Sequence, residues 1–66
     1  MAKFLGRLPQ VRQKVGFSRS EIYRLISLRR FPKPVLLGER AVAWDMDEVE
    51  AWIAERIKAR DSKGAA

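Results

Sequence analysis

Residues 16–30 read GFSRSEIYRLISLRR, and this stretch predicts a glycine turn followed by a capped, amphipathic helix. Ser18 and Glu21 have the three-residue spacing of a capping box, in which the serine accepts from the N3 amide and the glutamate reaches back to the N-cap amide. Three apolar residues fall within one arc of about 100° on a helical wheel and predict the buried face. They are Ile22, Leu25 and Ile26.

The opposite face of this helix carries hydrogen-bond donors. Its residues are Arg19, Ser20, Tyr23, Arg24 and Ser27. Arg, Ser and Tyr side chains contact phosphates and base edges in protein–DNA complexes, so this face is a candidate DNA-binding surface. An ordinary solvated face is the simpler interpretation for an isolated helix, and the surrounding sequence decides between the two.

The positive charge is concentrated in the first two thirds of the chain. The 66 residues carry a formal net charge of +6. Residues 1–40 contain ten Lys and Arg residues and two acidic residues, which gives a net charge of +8. Residues 41–66 contain four Lys and Arg residues and six acidic residues, which gives a net charge of −2. This asymmetry suits a polyanionic partner on one face, although an anionic membrane surface would attract it as well.

The composition excludes several classes of functional site. The chain has no Cys and no His, which removes disulfides, thiol nucleophiles, Cys/His zinc sites and imidazole catalysis. Its four glycines are scattered and form no phosphate-binding loop, and no apolar run is long enough to span a bilayer. We therefore expect a protein that is not an enzyme, needs no cofactor or metal, and does not bind membranes.

A short helix is predicted before the glycine turn. Leu8-Pro9 indicates its start, because Pro is well tolerated at the first helical position, and Val11 and Val15 extend a one-sided apolar stripe. Gly16 indicates its left-handed end. Two helices joined by a glycine-containing turn of about three residues are typical of a helix-turn-helix, whose second helix lies in the DNA major groove. An unrelated helical hairpin is the alternative.

A β-hairpin is predicted after the second helix. Pro32 disfavours helical backbone at the residue before it, so we expect the helix to end by about Arg30. Two β-prone runs then flank the turn at residues 38–40 and predict a hairpin that packs on the helices. The residues expected to pack are Val35, Leu37, Val42 and Trp44.

The predicted hairpin is basic at both ends. Lys33 lies at its base and Arg40 at its tip, so it could serve as a wing on phosphates or in the minor groove. Alternatively, Arg40 could simply pair with Glu39 or another acid. Lys14, Arg29 and Arg30 are further candidates for phosphate contacts because they lie in the basic part of the chain.

Asp45-Met46-Asp47-Glu48 predicts the start of a third helix, with Asp45 as the N-cap. The acids in its first turns are explained by the favourable interaction of negative charge with a helix N-terminus, rather than by a metal site. Its apolar stripe comprises Met46, Val49, Trp52, Ile53 and Ile57. Two of these, Trp52 and Ile57, could instead contact a second copy of the chain.

In this order the elements resemble the AlpA family of prophage regulators, small relatives of the MerR-like winged helix-turn-helix proteins, a group that also contains phage excisionases. The resemblance is carried by four segments and covers residues 8 to about 57. The segments are residues 16–26, 30–35, 37–44 and 48–52. The resemblance implies a mostly α fold with a small β-hairpin, in which three helices accompany a two-stranded wing.

The expected domain organisation follows from these elements. We expect a flexible lead-in over residues 1–7, a winged helix-turn-helix domain over residues 8–60 and a flexible tail over residues 61–66. The family usually places a Gly where this chain has Arg29, so the second helix is expected to end without a glycine, at Pro32.

The resemblance also implies a recognition helix at about residues 19–29 in the major groove and a wing at about residues 35–44 on the minor groove or backbone. The predicted DNA-binding residues are Arg19, Ser20, Tyr23, Arg24, Ser27, Arg30, Lys33 and Arg40. Arg19 and Arg24 are the candidates for guanine edges, because guanidinium groups bind them in a bidentate manner.

The expected function is sequence-specific binding of double-stranded DNA by a cytoplasmic, nucleoid-associated regulator of a phage, prophage or mobile element. An excisionase that bends DNA for an integrase is one alternative, and a small protein-interaction adaptor without DNA binding is another. An integrase, or further copies of the chain bound side by side on DNA, are additional partners that the resemblance allows.

Overall fold

The computed structural model describes residues 4–64, with side chains over residues 4–62, and these residues form three α-helices and three short β-strands. In chain order the elements are β1 (Leu5–Gly6), α1 (Leu8–Val15), α2 (Arg19–Ser27), β2 (Val35–Leu36), β3 (Val42–Asp45) and α3 (Met46–Gly64). The predicted fold class, mostly α with a small hairpin in winged helix-turn-helix order, is confirmed.

The predicted hairpin consists of β2 and β3. These strands are antiparallel, with Val35 opposite Ala43 and Leu36 opposite Val42. The Leu37 amide donates to the Ala41 carbonyl at 2.7 Å and closes the turn that carries the tip. The wing therefore begins and ends where the sequence pattern predicts.

The sheet has three strands rather than the two predicted. Strand β1 pairs with β3 on the side away from β2, and Gly6 lies opposite Trp44. Residues 5 and 6, expected in a flexible lead-in, are thus part of the fold. A Cβ on Gly6 would clash with the Met46 side chain, so the close packing of β1 on the start of α3 depends on the glycine. A two-residue strand has no periodicity to reveal it in the sequence.

Helix α3 begins as predicted and continues further. Asp45 caps it, because Asp45 Oδ1 accepts from the Asp47 amide at 2.9 Å. The helix runs to Gly64 and so includes residues 61–64, which were expected in a flexible tail. No proline or glycine interrupts residues 46–63, so the helical backbone has no local reason to stop at Asp61. Residues 1–3 and 65–66 lie outside the described part of the chain.

The core gathers side chains from all three helices, from β3 and from the link after α2. Its buried residues are Val11, Ile22, Phe31, Trp44, Met46 and Val49. The expectation that Val35 and Leu37 pack inside is wrong, because their side chains are 42% and 52% exposed. Strand β2 is an edge strand, and helices α1 and α3 pack against the central strand β3 instead.

The turn between α1 and α2 forms as predicted. Gly16 adopts a left-handed backbone with φ of 77°, and its amide donates to the Arg12 carbonyl at 2.8 Å. At the other end of α1, the Arg7 amide donates to Gln10 Oε1 at 2.9 Å. Pro9 is the second helical residue rather than the first, and it still needs no amide there.

Helix α2 ends in a Schellman motif built on an arginine. The Arg29 amide donates to the Ile26 carbonyl at 2.9 Å, and the Arg30 amide donates to the Leu25 carbonyl at 2.8 Å. Arg29 has φ of 59°, the left-handed conformation that glycine usually supplies. The expectation that Pro32 ends the helix is therefore wrong, since the helix has already ended at Ser27.

Two tryptophans hold the link between α2 and the wing. Trp52 Nε1 donates to the Arg30 carbonyl at 2.7 Å, and Trp44 Nε1 donates to the Pro32 carbonyl at 3.0 Å. Phe31, between those carbonyls, is buried with its ring centroid 5.0 Å from that of Trp52. Trp52 thus serves the core of its own chain.

Arg29→Gly should stabilise the fold by about 1 kcal/mol, because glycine adopts the left-handed conformation without the cost that a Cβ carries. The measurement is chemical denaturation followed by circular dichroism. Arg30→Gly is the matched control and should not stabilise the fold, because Arg30 has no positive φ. Equal or lower stability of the Arg29 variant would contradict the strain assigned to this position.

Candidate nucleic-acid interface

Helix α2 forms only half of the predicted capping box. Ser18 Oγ accepts from the Glu21 amide at 3.2 Å, as expected. The Glu21 carboxylate, however, accepts two hydrogen bonds from Arg24: Nε donates to Oε1 at 3.0 Å and the terminal NH2 nitrogen donates to Oε2 at 2.6 Å. The carboxylate therefore binds a side chain three residues later instead of the N-cap amide.

The pairing changes the acid–base properties of both groups. The hydrogen bonds from Arg24 hold the pKa of the Glu21 carboxyl below its ordinary value, and those to Glu21 raise the pKa of the Arg24 guanidinium. Both groups are open to solvent, so the pair adds little stability. The main effect of the pair is that the Arg24 guanidinium must break its hydrogen bonds to Glu21 before it can bind another acceptor.

Arg19, on the opposite flank of the exposed face of α2, is placed by aromatic contacts. Its guanidinium carbon lies 5.3 Å from the centroid of the Tyr23 ring, which is a cation–π arrangement. The Tyr23 ring in turn meets the buried Trp44 ring edge-on, with centroids 6.2 Å apart. A chain of three contacting side chains thus runs from the core to the surface.

A groove of about 540 Å³ lies between α2, the start of α1 and the wing. The residues that line it are Arg7, Leu8, Pro9, Arg19, Tyr23, Arg40 and Val42. Three predicted DNA-binding residues, Arg19, Tyr23 and Arg40, are thereby brought together from two elements. We call the cations of this groove, Arg7, Arg19 and Arg40, the arginine triad.

Arg7 is the member that sequence reasoning missed. It falls within the expected lead-in, and only the pairing of β1 with β3 brings the start of α1 beside the wing. A signal was present, since Arg7 immediately precedes the predicted helix start at Leu8-Pro9. Its side chain is exposed, whereas its amide is used in the cap with Gln10.

The arginine triad is electrostatically uncompensated. Across residues 4–62, none of its three guanidinium groups forms an ion pair with a carboxylate, and the alternative pairing of Arg40 with Glu39 does not form. Elsewhere on the basic part of the chain, Lys14 pairs with Glu50 on α3. Lys14, one of the residues expected to meet phosphate, is thus paired with a carboxylate, whereas the arginines of the groove are not.

The remaining predicted residues are not gathered in the groove. Ser20 lies exposed on α2, and the Ser27 hydroxyl donates to the Arg24 carbonyl at 2.7 Å. Arg30 has an exposed side chain, although its carbonyl is held by Trp52. Lys33 lines a separate groove with Glu48 at the start of α3.

Residues 4–64 contain no cluster of three or more His, Cys, Asp or Glu side chains that could hold a metal ion. Among the same residues, none of the helices combines the length and the apolar character needed to cross a membrane.

Comparison with known proteins identifies related chains. Residues 4–57 match the family described as Prophage CP4-57 regulatory protein (AlpA). Over 54 residues the chain is 50% identical to the Uncharacterized protein ORF88 of Enterobacteria phage P4, and the match covers 82% of this chain and 61% of that relative. Over 58 residues the chain is 36% identical to the DNA-binding transcriptional activator AlpA of Escherichia coli (strain K12), and the match covers 79% of this chain and 83% of that relative.

Arg24→Ala should raise the pKa of the Glu21 carboxyl, because the hydrogen bonds that stabilise the charged form are lost. The measurement is an NMR titration of the Glu21 side-chain carboxyl in both proteins. In the wild type, the pair favours the folded state above the ordinary glutamate pKa, and this contribution disappears as the pH falls through the lowered value. An unchanged titration midpoint would show that the pair does not persist in solution.

Proposed function

The chain belongs to the AlpA family of prophage regulatory proteins, and we propose that it binds double-stranded DNA sequence-specifically and regulates transcription of a prophage or another mobile element. The observation that carries this proposal is the convergence of the arginine triad, from α1, α2 and the wing, on one uncompensated groove. The name of the Escherichia coli relative supports the same conclusion.

In the proposed complex, α2 lies in the major groove and the wing lies on the minor groove or the backbone. At about 100° per residue, Ser20 and Arg24 fall near the middle of the face of α2 opposite its buried Ile22. They are therefore the residues best placed to reach base edges. Tyr23, between them and the wing, presents a phenol that can donate to a base or a phosphate.

Arg24 can read a guanine by exchanging one bidentate partner for another. Guanine O6 and N7 present two acceptors in the major groove, and they can replace the two carboxylate oxygens of Glu21. Because the pair with Glu21 is exposed, the exchange costs little. A base that cannot supply both acceptors leaves Arg24 with Glu21.

Other basic residues would add contacts that carry no sequence information. Arg30 and Lys33, in the link between α2 and the wing, are proposed to meet phosphates and fix the register. Ser27, at the end of α2, can join them only by turning its hydroxyl from the Arg24 carbonyl to a phosphate. Lys33 lies on the side of the hairpin that faces α3, so its contact would be peripheral. The proposed setting is the cytoplasm, on the nucleoid, and no catalytic step is involved.

The size of the domain points to cooperation with other proteins. A single module of this kind buries roughly 600–1,000 Å² on DNA, which is a modest interface. Strong occupancy then calls for several copies on neighbouring sites or for a second protein such as an integrase. Activation, repression and excision all use the same DNA-binding surface.

The proposal is tested by selecting bound fragments from the genomic DNA of the source organism in the presence of competitor DNA, followed by sequencing. Retained fragments next to promoters support a transcriptional regulator, and fragments confined to recombination attachment sites favour an excisionase. No retention at physiological salt would overturn DNA binding and leave the adaptor as the better interpretation.

Arg24→Ala should weaken binding to the selected site by about 1–3 kcal/mol and relax the preference at one base position. The measurement is a titration of the selected duplex and of variants at each position. Arg60→Ala is the matched control, because Arg60 lies exposed near the end of α3 and pairs only with Asp61 among the described residues. Equal weakening on selected and random DNA would demote Arg24 to a phosphate contact.

A further inference from the structure

We propose that the arginine triad clamps the sugar–phosphate strand that separates the major groove from the minor groove of bound DNA. The ligand of the groove is thus backbone phosphate, and Arg7 becomes a DNA-binding residue. This inference rests on the proposed function and gives Arg19 a different role from the guanine contact expected from the sequence.

The position of the groove supports this assignment. If α2 enters the major groove and the wing reaches the adjacent minor groove, one sugar–phosphate strand must pass between them. The residues that face this passage are those lining the groove, with Arg19 and Tyr23 on the α2 side and Arg40 and Val42 on the wing side. Arg7 at the start of α1 contributes the third cation.

The chemistry of the groove fits phosphate better than a base edge. Guanidinium groups bind phosphate oxygens through paired donors, and three of them lining one groove suit the charge of the sugar–phosphate backbone better than a single planar base edge. All three groups lack a carboxylate partner across residues 4–62. In contrast, Arg24, the proposed base reader, is already paired with Glu21.

The groove is also preorganised. Arg19 stacks on Tyr23, whose ring meets that of Trp44, and Gly6, immediately before Arg7, lies opposite Trp44 in the sheet. The Arg7 backbone is further fixed by its hydrogen bond to Gln10. The side chain of Arg19 and the backbone of Arg7 are therefore both positioned through Trp44, which reduces the conformational entropy lost on DNA binding.

The test measures affinity for the selected duplex and for a random duplex as a function of salt, using Arg7→Gln, Arg19→Gln and Arg40→Gln. Each substitution should weaken binding to both duplexes by the same factor, about tenfold, and flatten the salt slope by about one unit. Arg60→Gln, with the same charge change on α3, should have a much smaller effect. Arg7→Lys should retain the wild-type salt slope because it keeps the charge.

A second experiment replaces single phosphates of the selected duplex by neutral methylphosphonates. One position should weaken wild-type binding, and at that position Arg7→Gln should lose little further affinity, because its partner is already absent. Thermal unfolding of Arg7→Gln verifies that the variant is folded.

Three outcomes separate the claims. Wild-type affinity in Arg7→Gln overturns the clamp while DNA binding stands. A changed ratio of selected to random affinity in Arg19→Gln also overturns it, since that ratio reports base contacts. Failure of the wild type to bind any duplex at physiological salt overturns the proposed function itself, and the clamp with it.

Discussion

The two hydrogen bonds from Trp44 and Trp52 to the backbone of the link after α2 are the constraint on which this structure depends. They satisfy the carbonyls of Arg30 and Pro32 on either side of Phe31, which is buried. Each bond contributes about 1 kcal/mol to an exposed or partly buried carbonyl, and together with the burial of Phe31 the two bonds keep the link in one path. That path sets where the wing lies relative to α2, and hence the width of the groove between them.

Trp44 connects this constraint to the candidate DNA interface. It pairs with Gly6 in the sheet, it meets the ring of Tyr23, and its indole holds Pro32. The start of α1, the exposed face of α2 and the base of the wing are therefore all positioned by one buried residue, the first through its backbone and the other two through its indole. In a chain of 66 residues, whose core is necessarily small, such sharing lets one residue serve both stability and the geometry of the site.

Local patterns predicted the parts of the fold that depend on local interactions: the turn at Gly16, the cap at Asp45 and the hairpin. They missed strand β1, because its pairing with β3 joins distant residues, and Arg7 was missed with it. Glu21 could serve either the N-cap amide or Arg24, and both partners lie three residues away, so spacing alone could not choose. Arg29 stands where the family usually has a Gly, and the two Schellman hydrogen bonds impose a left-handed backbone that arginine does not itself prefer. The MerR-like relationship and the individual DNA contacts stay predictions.

If DNA runs through the groove between α2 and the wing, an NMR titration of the labelled protein with the selected duplex will detect it at the residues of that groove. The largest shifts, in backbone amides and arginine Nε–H signals, should fall on Arg7, Arg19 and Arg40, with further shifts at Ser20 and Arg24. The second half of α3 should be unaffected. Shifts centred on α3, with unchanged signals from the arginine triad, would show that DNA does not run through this groove.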